Sequence, residues 1–182
     1  MEQCLQEAEQ IRRDDMLKPA ILFASQVQKK YQEIWFNEKY KYYNYNSSWH
    51  TFTVEDNSRD WHEFVSVDAN NEIIGYIHYL VDRNTLNCAR FGAINFTDNP
   101  LFGRDLLQAI EDIFLRFNFH KLQFAVVIGN PVEKTYDRLC KKYGGRILCI
   151  EKEETKLEDN KYYDVKRYEI LREDFLKARN KQ

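Results

Sequence analysis

The turn at residues 97–104 carries the residue types in this sequence that are best suited to binding an anion. It contains Asp98, Asn99, Pro100 and Gly103, which favour loops and helix starts. Apolar residues then recur every three or four positions, which predicts a helix: Leu106, Leu107, Ile110, Ile113, Phe114 and Phe117. The first N–H groups of a helix are unpaired and lie at the positive end of its dipole. The pattern therefore indicates a phosphate site, although Gly103 also suits an ordinary loop before a helix.

His78 has a residue type that suits proton transfer, as do His50 and His62 in the aromatic-rich residues 36–62. His78 lies in the middle of a predicted strand, in phase with Ile74 and Tyr76. Imidazole changes its charge near neutral pH, as a general base must. A buried histidine of the core explains the same position, and both interpretations stay open. Acidic alternatives lie only near strand ends: Glu63, Asp68 and Glu72.

A strand, the turn, a helix, a second strand and a second helix must position these groups. Residues 88–96 are short, β-branched and aromatic without a helical stripe, which predicts a strand. Residues 122–128 form a nearly continuous apolar run, typical of a strand that is covered on both faces. Asn130 and Pro131 suit an N-cap and first position of a helix over 131–143. Two glycines at 144 and 145 predict its end.

The flanking sequence predicts further strands and helices. Residues 62–97 read as a three-stranded meander, followed later by strands at 146–150 and 162–171 and a charged helical tail at 173–182. Residues 1–40 have a helical pattern, with one apolar face running from Ile21 to Trp35. A strand preceding the meander is not obvious, and only Ile21–Ala24 or a short piece near Ile11 offers one.

This order of elements resembles the core of the Gcn5-related N-acetyltransferase (GNAT) superfamily. The matching pieces are 93–96, 101–105, 126–130 and 136–145, and the resemblance covers roughly residues 62–172. It implies an α+β, GNAT-like fold, with a twisted, mostly antiparallel sheet flanked by helices. We expect a single domain over 1–182, with N-terminal helices and an aromatic loop up to residue 61, the core up to residue 172, and then the tail.

The resemblance also implies a cofactor, acetyl-CoA, and the residues that would hold it. In this family the turn holds the CoA pyrophosphate, and pantetheine lies in a gap where the next strand splays away. The implied cofactor-binding residues are Ala93, Ile94, Asn95, Phe96, Leu101, Phe102, Gly103, Arg104, Asp105 and Asn130. Backbone N–H groups of residues 93–95 would face the thioester oxygen. No metal site is expected.

Two residues near the end of the second helix are implied as catalytic. The family often uses a tyrosine four residues before the closing glycine to protonate the leaving thiolate. Cys140 occupies that place here, and Tyr136 lies one turn earlier on the same face. Together with His78, these are the candidate catalytic residues, while Cys140 also suits an apolar core stripe.

The turn departs from the family pattern. That pattern is Arg or Gln, two residues, Gly, one residue, then Gly or Ala, and the corresponding places here hold Asp98, Leu101 and Gly103. A carboxylate at the first place repels a phosphate, and a leucine side chain at the second restricts close approach of the backbone. We therefore expect the turn to bind CoA more weakly than a complete one.

Composition narrows the classes of function. The chain has 182 residues, 43% hydrophobic and 15% aromatic, and a net charge of -2. The near-neutral charge balance argues against nucleic acid as a partner, and no apolar run approaches the roughly 20 residues of a membrane helix. The four cysteines show no paired spacing, so we expect reduced thiols, no zinc and a cytoplasmic location.

Residues 36–62 crowd aromatic side chains into a polar stretch rich in Asn and Ser. Three interpretations stay open. The rings line an acceptor pocket or lid, they cover one edge of the sheet, or they stack on the bases of single-stranded nucleic acid.

Two classes of function follow from the resemblance. The first is an N-acetyltransferase that moves an acetyl group from acetyl-CoA to a primary amine of a small molecule or a protein. The second is a GNAT-shaped protein without catalysis that binds a ligand or partner. The oligomeric state stays open and includes a dimer.

Overall fold

The computed structural model describes residues 17–35, 37–43, 52–55 and 59–181. Within these ranges the chain forms one seven-stranded sheet with the strand order β1-β2-β3-β4-β5-β7-β6. Its strands are β1 Leu17–Pro19, β2 Trp61–Val67, β3 Ile73–Asp82, β4 Asn87–Asn95, β5 Lys121–Val127, β6 Arg146–Lys156 and β7 Tyr162–Leu171. Neighbouring strands are antiparallel except β4 and β5, which are parallel. The prediction of a mostly antiparallel sheet flanked by helices is confirmed.

Helices cover both faces of this sheet. They are α1 Ala24–Ile34, α2 Leu101–Leu115, α3 Glu133–Lys142 and α4 Arg172–Arg179 in the described ranges, with short 3-10 helices at Ala20–Phe23 and Glu38–Tyr43. On one face, α1 buries Val27, Tyr31 and Ile34 against the first strands of the sheet. On the other face, α2, α3 and α4 share a larger cluster with the strands.

Most apolar residues that α2, β5 and α3 contribute to the core are buried. Ile110, Phe114, Val126, Val127 and Leu139 are each less than a tenth exposed. Leu106 is only partly buried and packs at the margin of the larger cluster. The strand β5 alternates between the two faces, since Val126 belongs to the larger cluster and Val127 to a small one on the other side.

The first strand lies earlier than the sequence suggested. β1 is Leu17–Pro19 and pairs with β2 through Leu17 and Ser66, whereas residues 21–23 belong to a 3-10 helix. The interpretation of Ile21–Ala24 as a strand is therefore wrong. Pro19 lacks an N–H group, so it suits the end of an edge strand. The other suggested piece, near Ile11, lies outside the described residues.

The helix after β5 also begins later than predicted. α3 starts at Glu133, because the Asn130 side chain caps a preceding turn and accepts a hydrogen bond from the Val132 N–H at 3.1 Å. Its end agrees with the prediction. Gly144 has φ +70°, and the Gly145 N–H donates to the Cys140 carbonyl at 2.8 Å. This is the glycine-terminated helix end known as the Schellman motif.

Gly75 in β3 makes room for Phe102 at the start of α2. A Cβ atom at position 75 would overlap the Phe102 ring and lie 2.8 Å from the Ile94 carbonyl oxygen. Because that ring is buried and cannot swing away freely, we expect Gly75→Ala to lower the free energy of unfolding by roughly 1–3 kcal/mol. Urea denaturation measures this change.

Gly103→Ala is the matched control for that prediction. A Cβ atom there would meet open space, and alanine is the better helix former by roughly 1 kcal/mol. We expect this variant to be at least as stable as the parent. Equal stability of the two variants would contradict the role assigned to Gly75.

Candidate active site

The parallel strands β4 and β5 separate halfway along their length. Their paired register ends at Phe91 and Phe124, although β4 continues to Asn95 and β5 to Val127. Backbone groups on the facing edges beyond those pairs no longer meet a neighbouring strand. The result is a gap in the middle of the sheet, which is lined by small residues such as Gly92, Ala93 and Ala125.

A cavity of about 330 Å³ occupies this gap. Its wall includes Tyr136, which belongs to the hydrophobic cluster beneath α2 and α3, and Tyr31, which belongs to the cluster beneath α1. The cavity therefore reaches both faces of the sheet. It brings together five of the sequence-predicted site residues: Ala93, Ile94, Asn130, Tyr136 and His78.

The predicted pyrophosphate turn does not line this cavity, and its first donors are already engaged. The Leu101 N–H donates to the Asn99 side chain at 3.0 Å, and the Phe102 N–H donates to the Asn99 carbonyl at 3.1 Å. The Gly103 N–H donates to the Pro100 carbonyl at 3.2 Å. A ligand at this helix start would have to share or displace these bonds, although the helix dipole still points toward it.

Carboxylates flank the same turn. Asp98 is exposed, has φ 56° and forms an ion pair with Lys39. Asp105 is buried, accepts a hydrogen bond from the Ser66 hydroxyl at 2.5 Å and lies 3.7 Å from the exposed Arg104 guanidinium. Burial raises the pKa of the Asp105 carboxyl above its ordinary value. Arg104 is thus the predicted residue of the turn that presents a positive charge.

Asn95 and Phe96, which end the predicted strand 88–96 and are predicted to bind the cofactor, form hydrogen bonds within the protein. The Asn95 side chain donates to the Asn99 carbonyl at 3.2 Å and accepts from the Thr97 N–H at 3.2 Å. Phe96 is buried, and its carbonyl accepts a hydrogen bond from the Tyr40 hydroxyl at 2.9 Å. These bonds fix the path from β4 into the turn.

Tyr136 is the predicted proton donor that reaches the cavity. It is 8% exposed, and its ring packs edge-on against Phe124 and Tyr168, with centroid distances of 5.3 and 6.4 Å. Its ring is thereby held in one orientation at the cavity wall. Asn130 lies on the same wall and already caps the turn before α3.

Cys140 does not line the cavity. It is 3% exposed in the larger hydrophobic cluster, and a Cβ atom at Gly145 would lie 2.8 Å from its sulfur. Burial raises the pKa of its thiol to about 11. Such a thiol is a poor source of thiolate and packs as a small hydrophobic group.

His78 borders the cavity as a buried, neutral histidine. Its ring lies 4.8 Å from the Trp61 ring, and burial lowers its pKa to about 4. Its Nδ1 atom is buried and has no hydrogen-bond partner within the described part of the chain. The absence of a side chain at Gly92 provides the space for this imidazole, since a Cβ atom there would lie 2.8 Å from its Cε1 atom.

This low pKa makes stability depend on pH. The unfolded chain binds a proton at histidine near pH 6.5, whereas folded His78 binds one only near pH 4. Its contribution to stability is therefore complete above pH 6.5 and is lost as the pH falls toward 4. Between about pH 7 and pH 4.5, we expect the free energy of unfolding to fall by about 2 kcal/mol more in the parent than in His78→Gln. Urea denaturation at both pH values measures it, and identical losses in parent and variant would contradict the assignment.

A buried carboxylate that is not among the sequence-predicted site residues also lines this cavity. Glu63 is 4% exposed, and its carboxylate accepts hydrogen bonds from the Tyr76 hydroxyl and, at 2.9 Å, from the Glu55 N–H. No Lys, Arg or His forms an ion pair with it within the described ranges. Burial raises the pKa of the Tyr76 hydroxyl far above its ordinary value, so this tyrosine remains a donor.

The signal for Glu63 was present in the sequence as alternation along β2. Glu63 pairs with His78 in the register of β2 and β3, so the two side chains share one face of the sheet. The sequence alone indicates only that Glu63 lies near a strand end, because one sequence does not give the register between two strands.

The described part of the aromatic stretch packs beside Glu63. The Phe52 ring stacks on Tyr31 at 4.1 Å and meets Tyr76 edge-on at 5.5 Å. Tyr42 and Tyr43 complete this wall of the cavity. These contacts favour the interpretation of an acceptor pocket, since the rings surround a space that contains a carboxylate. Residues 36, 44–51 and 56–58 of the stretch lie outside the described residues.

The described residues contain no group of three or more His, Cys, Asp or Glu side chains arranged to hold a metal ion. No helix in the described ranges is long and apolar enough to cross a membrane.

The chain is similar to solved structures of spermidine acetyltransferases. One is spermidine/spermine N-acetyltransferase SpeG from Vibrio cholerae, at 26% identity and a TM-score of 0.57, covering 73% of this chain and 74% of that one. Another is a chimera of Vibrio cholerae SpeG and hSSAT, at 25% identity and a TM-score of 0.56, covering 72% and 76%. No protein-family model and no curated protein sequence matches the chain.

The class of protein follows from the fold, from the gap between β4 and β5, and from these similarities. The chain is a divergent member of the GNAT superfamily.

Proposed function

We propose that this protein is an N-acetyltransferase that transfers an acetyl group from acetyl-CoA to an amine. The observation that carries the proposal is a buried carboxylate, Glu63, on the wall of a cavity that fills the gap between β4 and β5. A buried charge without a counter-ion is costly, so such a site favours a ligand that brings a positive charge. An ammonium group is that ligand.

The residues of the gap fit the pantetheine arm of the cofactor. Ala93 and Ile94 on β4 and Val126 and Val127 on β5 present small or apolar side chains to a cavity edged by unpaired strand backbone. Backbone N–H groups suit both the amides of pantetheine and the thioester oxygen. Asn130 stands at the end of this wall. When bound, acetyl-CoA supplies the acetyl group as an activated thioester.

Two side chains of the cavity each carry out one of the two proton transfers of the reaction. Glu63 accepts the proton that the amine must lose before its nitrogen can attack a carbonyl carbon. Tyr136, which lines the cavity from the cluster beneath α2 and α3, donates the proton that the leaving sulfur takes up as its bond to carbon breaks. His78 lines the same cavity, and its low pKa keeps it uncharged, so it offers the amine hydrogen bonds but no negative charge.

Calorimetry with CoA and a transfer assay test the proposal. We expect acetyl-CoA to raise the melting temperature, since a ligand at about 100 times its dissociation constant adds roughly 2.7 kcal/mol. Amine-dependent release of the free CoA thiol then measures transfer.

Gly103→Val should weaken CoA binding more than about tenfold if the pyrophosphate lies at residues 102–105, because the new side chain occupies the approach to the helix start. Absence of both CoA binding and thiol release would refute the proposal.

The second candidate, a GNAT-shaped binding module without catalysis, rests on a different observation. The donors at the start of α2 are occupied by Asn99 and Pro100, and Asp98 and Asp105 add negative charge where a pyrophosphate would lie. A protein of this class would bind amines in the cavity and show no affinity for CoA.

Removing one of those charges should strengthen CoA binding. We expect Asp98→Asn to tighten the dissociation constant about fivefold at low salt, since a terminal charge contributes roughly 1 kcal/mol. Asparagine tolerates the left-handed backbone at φ 56°. The gain should shrink as salt screens the turn. Calorimetry at two salt concentrations measures it.

Glu158→Gln serves as the control, because it removes an exposed carboxylate from the loop after β6. Equal effects of the two changes would mean that net charge, and not the turn, controls affinity. No gain from Asp98→Asn would remove the turn as the phosphate site.

A further inference from the structure

A second cavity of about 480 Å³ adjoins the first. The two share a common border formed by Trp61, His78, Phe91, Gly92 and Ala125. They are therefore two halves of one cleft, with the rings of Trp61 and His78, tilted by 35° to each other, between them. An acceptor longer than a simple amine would extend from the first half into the second.

The two halves differ in charge. The wall of the first half contains Glu55 and Glu63 and, among the described residues, no Lys or Arg. The wall of the second half contains Arg90 and Arg167 and no Asp or Glu from the described ranges. One cleft thus presents carboxylates at one end and guanidinium groups at the other.

Arg90 is the guanidinium available to a ligand. It is exposed and forms no ion pair or hydrogen bond within the described part of the chain. Arg167, by contrast, already pairs with Glu151 at 2.5 Å and with Glu154 at 3.6 Å. A charge-assisted bond to Arg90 would therefore be a new interaction for a bound anion.

A bulge in β4 directs Arg90 into the cleft. The pairing of β4 with β3 shifts between His78 and Leu80, and its pairing with β5 shifts between Cys88 and Phe91. Arg90 lies at this irregularity with φ 50°, in the left-handed region that β-strand residues rarely adopt. Bulges next to active sites commonly redirect a side chain, and strained backbone persists where the surroundings hold it.

The register sets the separation of the two charges. Glu63 pairs with His78, and His78 pairs with Gly92, two residues beyond Arg90 on β4. Two strand spacings and two residues along a strand place the Cα atoms of Glu63 and Arg90 roughly 12 Å apart. Because both side chains extend into the cleft, a small molecule can reach both charges at once.

We infer that the acceptor is an amine whose far end carries an anionic group, a carboxylate or a phosphate. This rests on the proposed function, in which Glu63 receives the amine. Arg90 then binds the anion, and the rings of Trp61 and His78 contact the chain between the two charges. A linear polyamine would place a second ammonium beside Arg90, and this like-charge contact disfavours it. The inference separates this chain from the spermidine acetyltransferases that it resembles in structure.

Calorimetry with amines of equal length, in the absence of acetyl-CoA, tests this specificity directly. The series is hexylamine, hexamethylenediamine, ε-aminocaproate and aminohexyl phosphate. We expect the two anionic amines to bind about tenfold or more tightly than the diamine, a difference of about 1.4 kcal/mol. Whichever of ε-aminocaproate and aminohexyl phosphate binds more tightly shows whether the anionic group of the acceptor is a carboxylate or a phosphate. Binding of the diamine as tightly as the anionic amines, or no binding of any of the four, overturns the inference.

Variants assign the preference to Arg90. Arg90→Gln should remove the about tenfold preference and leave the affinity for hexylamine unchanged, whereas Arg90→Lys should retain part of it. Arg179→Gln, an exposed arginine in α4, controls for the change in net charge. If Arg90→Gln weakens hexylamine as much as ε-aminocaproate, Arg90 acts on the fold and the inference fails.

Transfer assays with the same series separate this inference from the proposed function. Acetylation of hexylamine with a preference for the diamine would overturn the inference and support the function. Binding of ε-aminocaproate through Arg90, with neither CoA binding nor acetyl transfer, would support the inference and refute the function.

Discussion

Replacement of Glu63 by glutamine is expected to lower kcat/KM for amine acetylation about 100-fold or more, with CoA affinity changed less than about twofold. Glutamine has nearly the same shape, and its one carbonyl oxygen can still accept a hydrogen bond from the Glu55 N–H. Its NH2 group can donate to the Tyr76 oxygen, which in the parent protein donates to Glu63. Glutamine cannot take a proton from the amine, and it brings no charge to attract an ammonium. Steady-state kinetics of thiol release and calorimetry with CoA measure the two quantities.

Glu55→Gln provides the matched control for this prediction. Glu55 lines the same cavity, but it is exposed and touches Glu63 through its backbone N–H. Loss of charge there should change kcat/KM by no more than about threefold, since exposed charges act weakly. A Glu63→Gln enzyme that retains full activity, or a Glu55→Gln enzyme that is equally impaired, would contradict the assignment of Glu63 as the base.

The comparison of two groups explains why Glu63, and not His78, is assigned this role. Both lie on the same face of β2 and β3 and border the same cavity. Burial lowers the pKa of His78 to about 4, so its imidazole is uncharged and attracts no ammonium, whereas a carboxylate at Glu63 does. The sequence offers His78 as a candidate by residue type, but it does not show the effect of burial on the imidazole, because that effect depends on neighbours such as Trp61 that lie in other strands.

The elements from β4 to α3 could be predicted from the sequence because their signals are local. The apolar stripe of α2, the continuous run of β5 and the glycines after α3 each depend on spacing within one segment. β1 carries no comparable signal. It has three residues, one a lysine and one a proline, and it is a strand only because it pairs with β2.

The charges of the cleft could not be predicted, because they depend on register. Glu63 and Arg90 belong to strands separated by β3, and a shift of one residue in either pairing would turn a side chain to the other face. The bulge at Arg90 has no clear signature in the sequence, since its left-handed residue is neither glycine nor asparagine. The capping of the turn by Asn99 likewise became visible only in the hydrogen bonds of the structure.

Replacement of Tyr136 by phenylalanine is expected to lower kcat about 100-fold while CoA affinity stays within about twofold. The ring keeps its edge-on contacts with Phe124 and Tyr168, so the variant should fold normally. Only the hydroxyl that donates a proton to the leaving sulfur is lost. Cys140→Ser is the control, because Cys140 lies in the core away from the cavity, and its change should affect stability and not kcat. A fall in kcat for Cys140→Ser with none for Tyr136→Phe would assign the proton donor to Cys140, the place that the resemblance to the family first indicated.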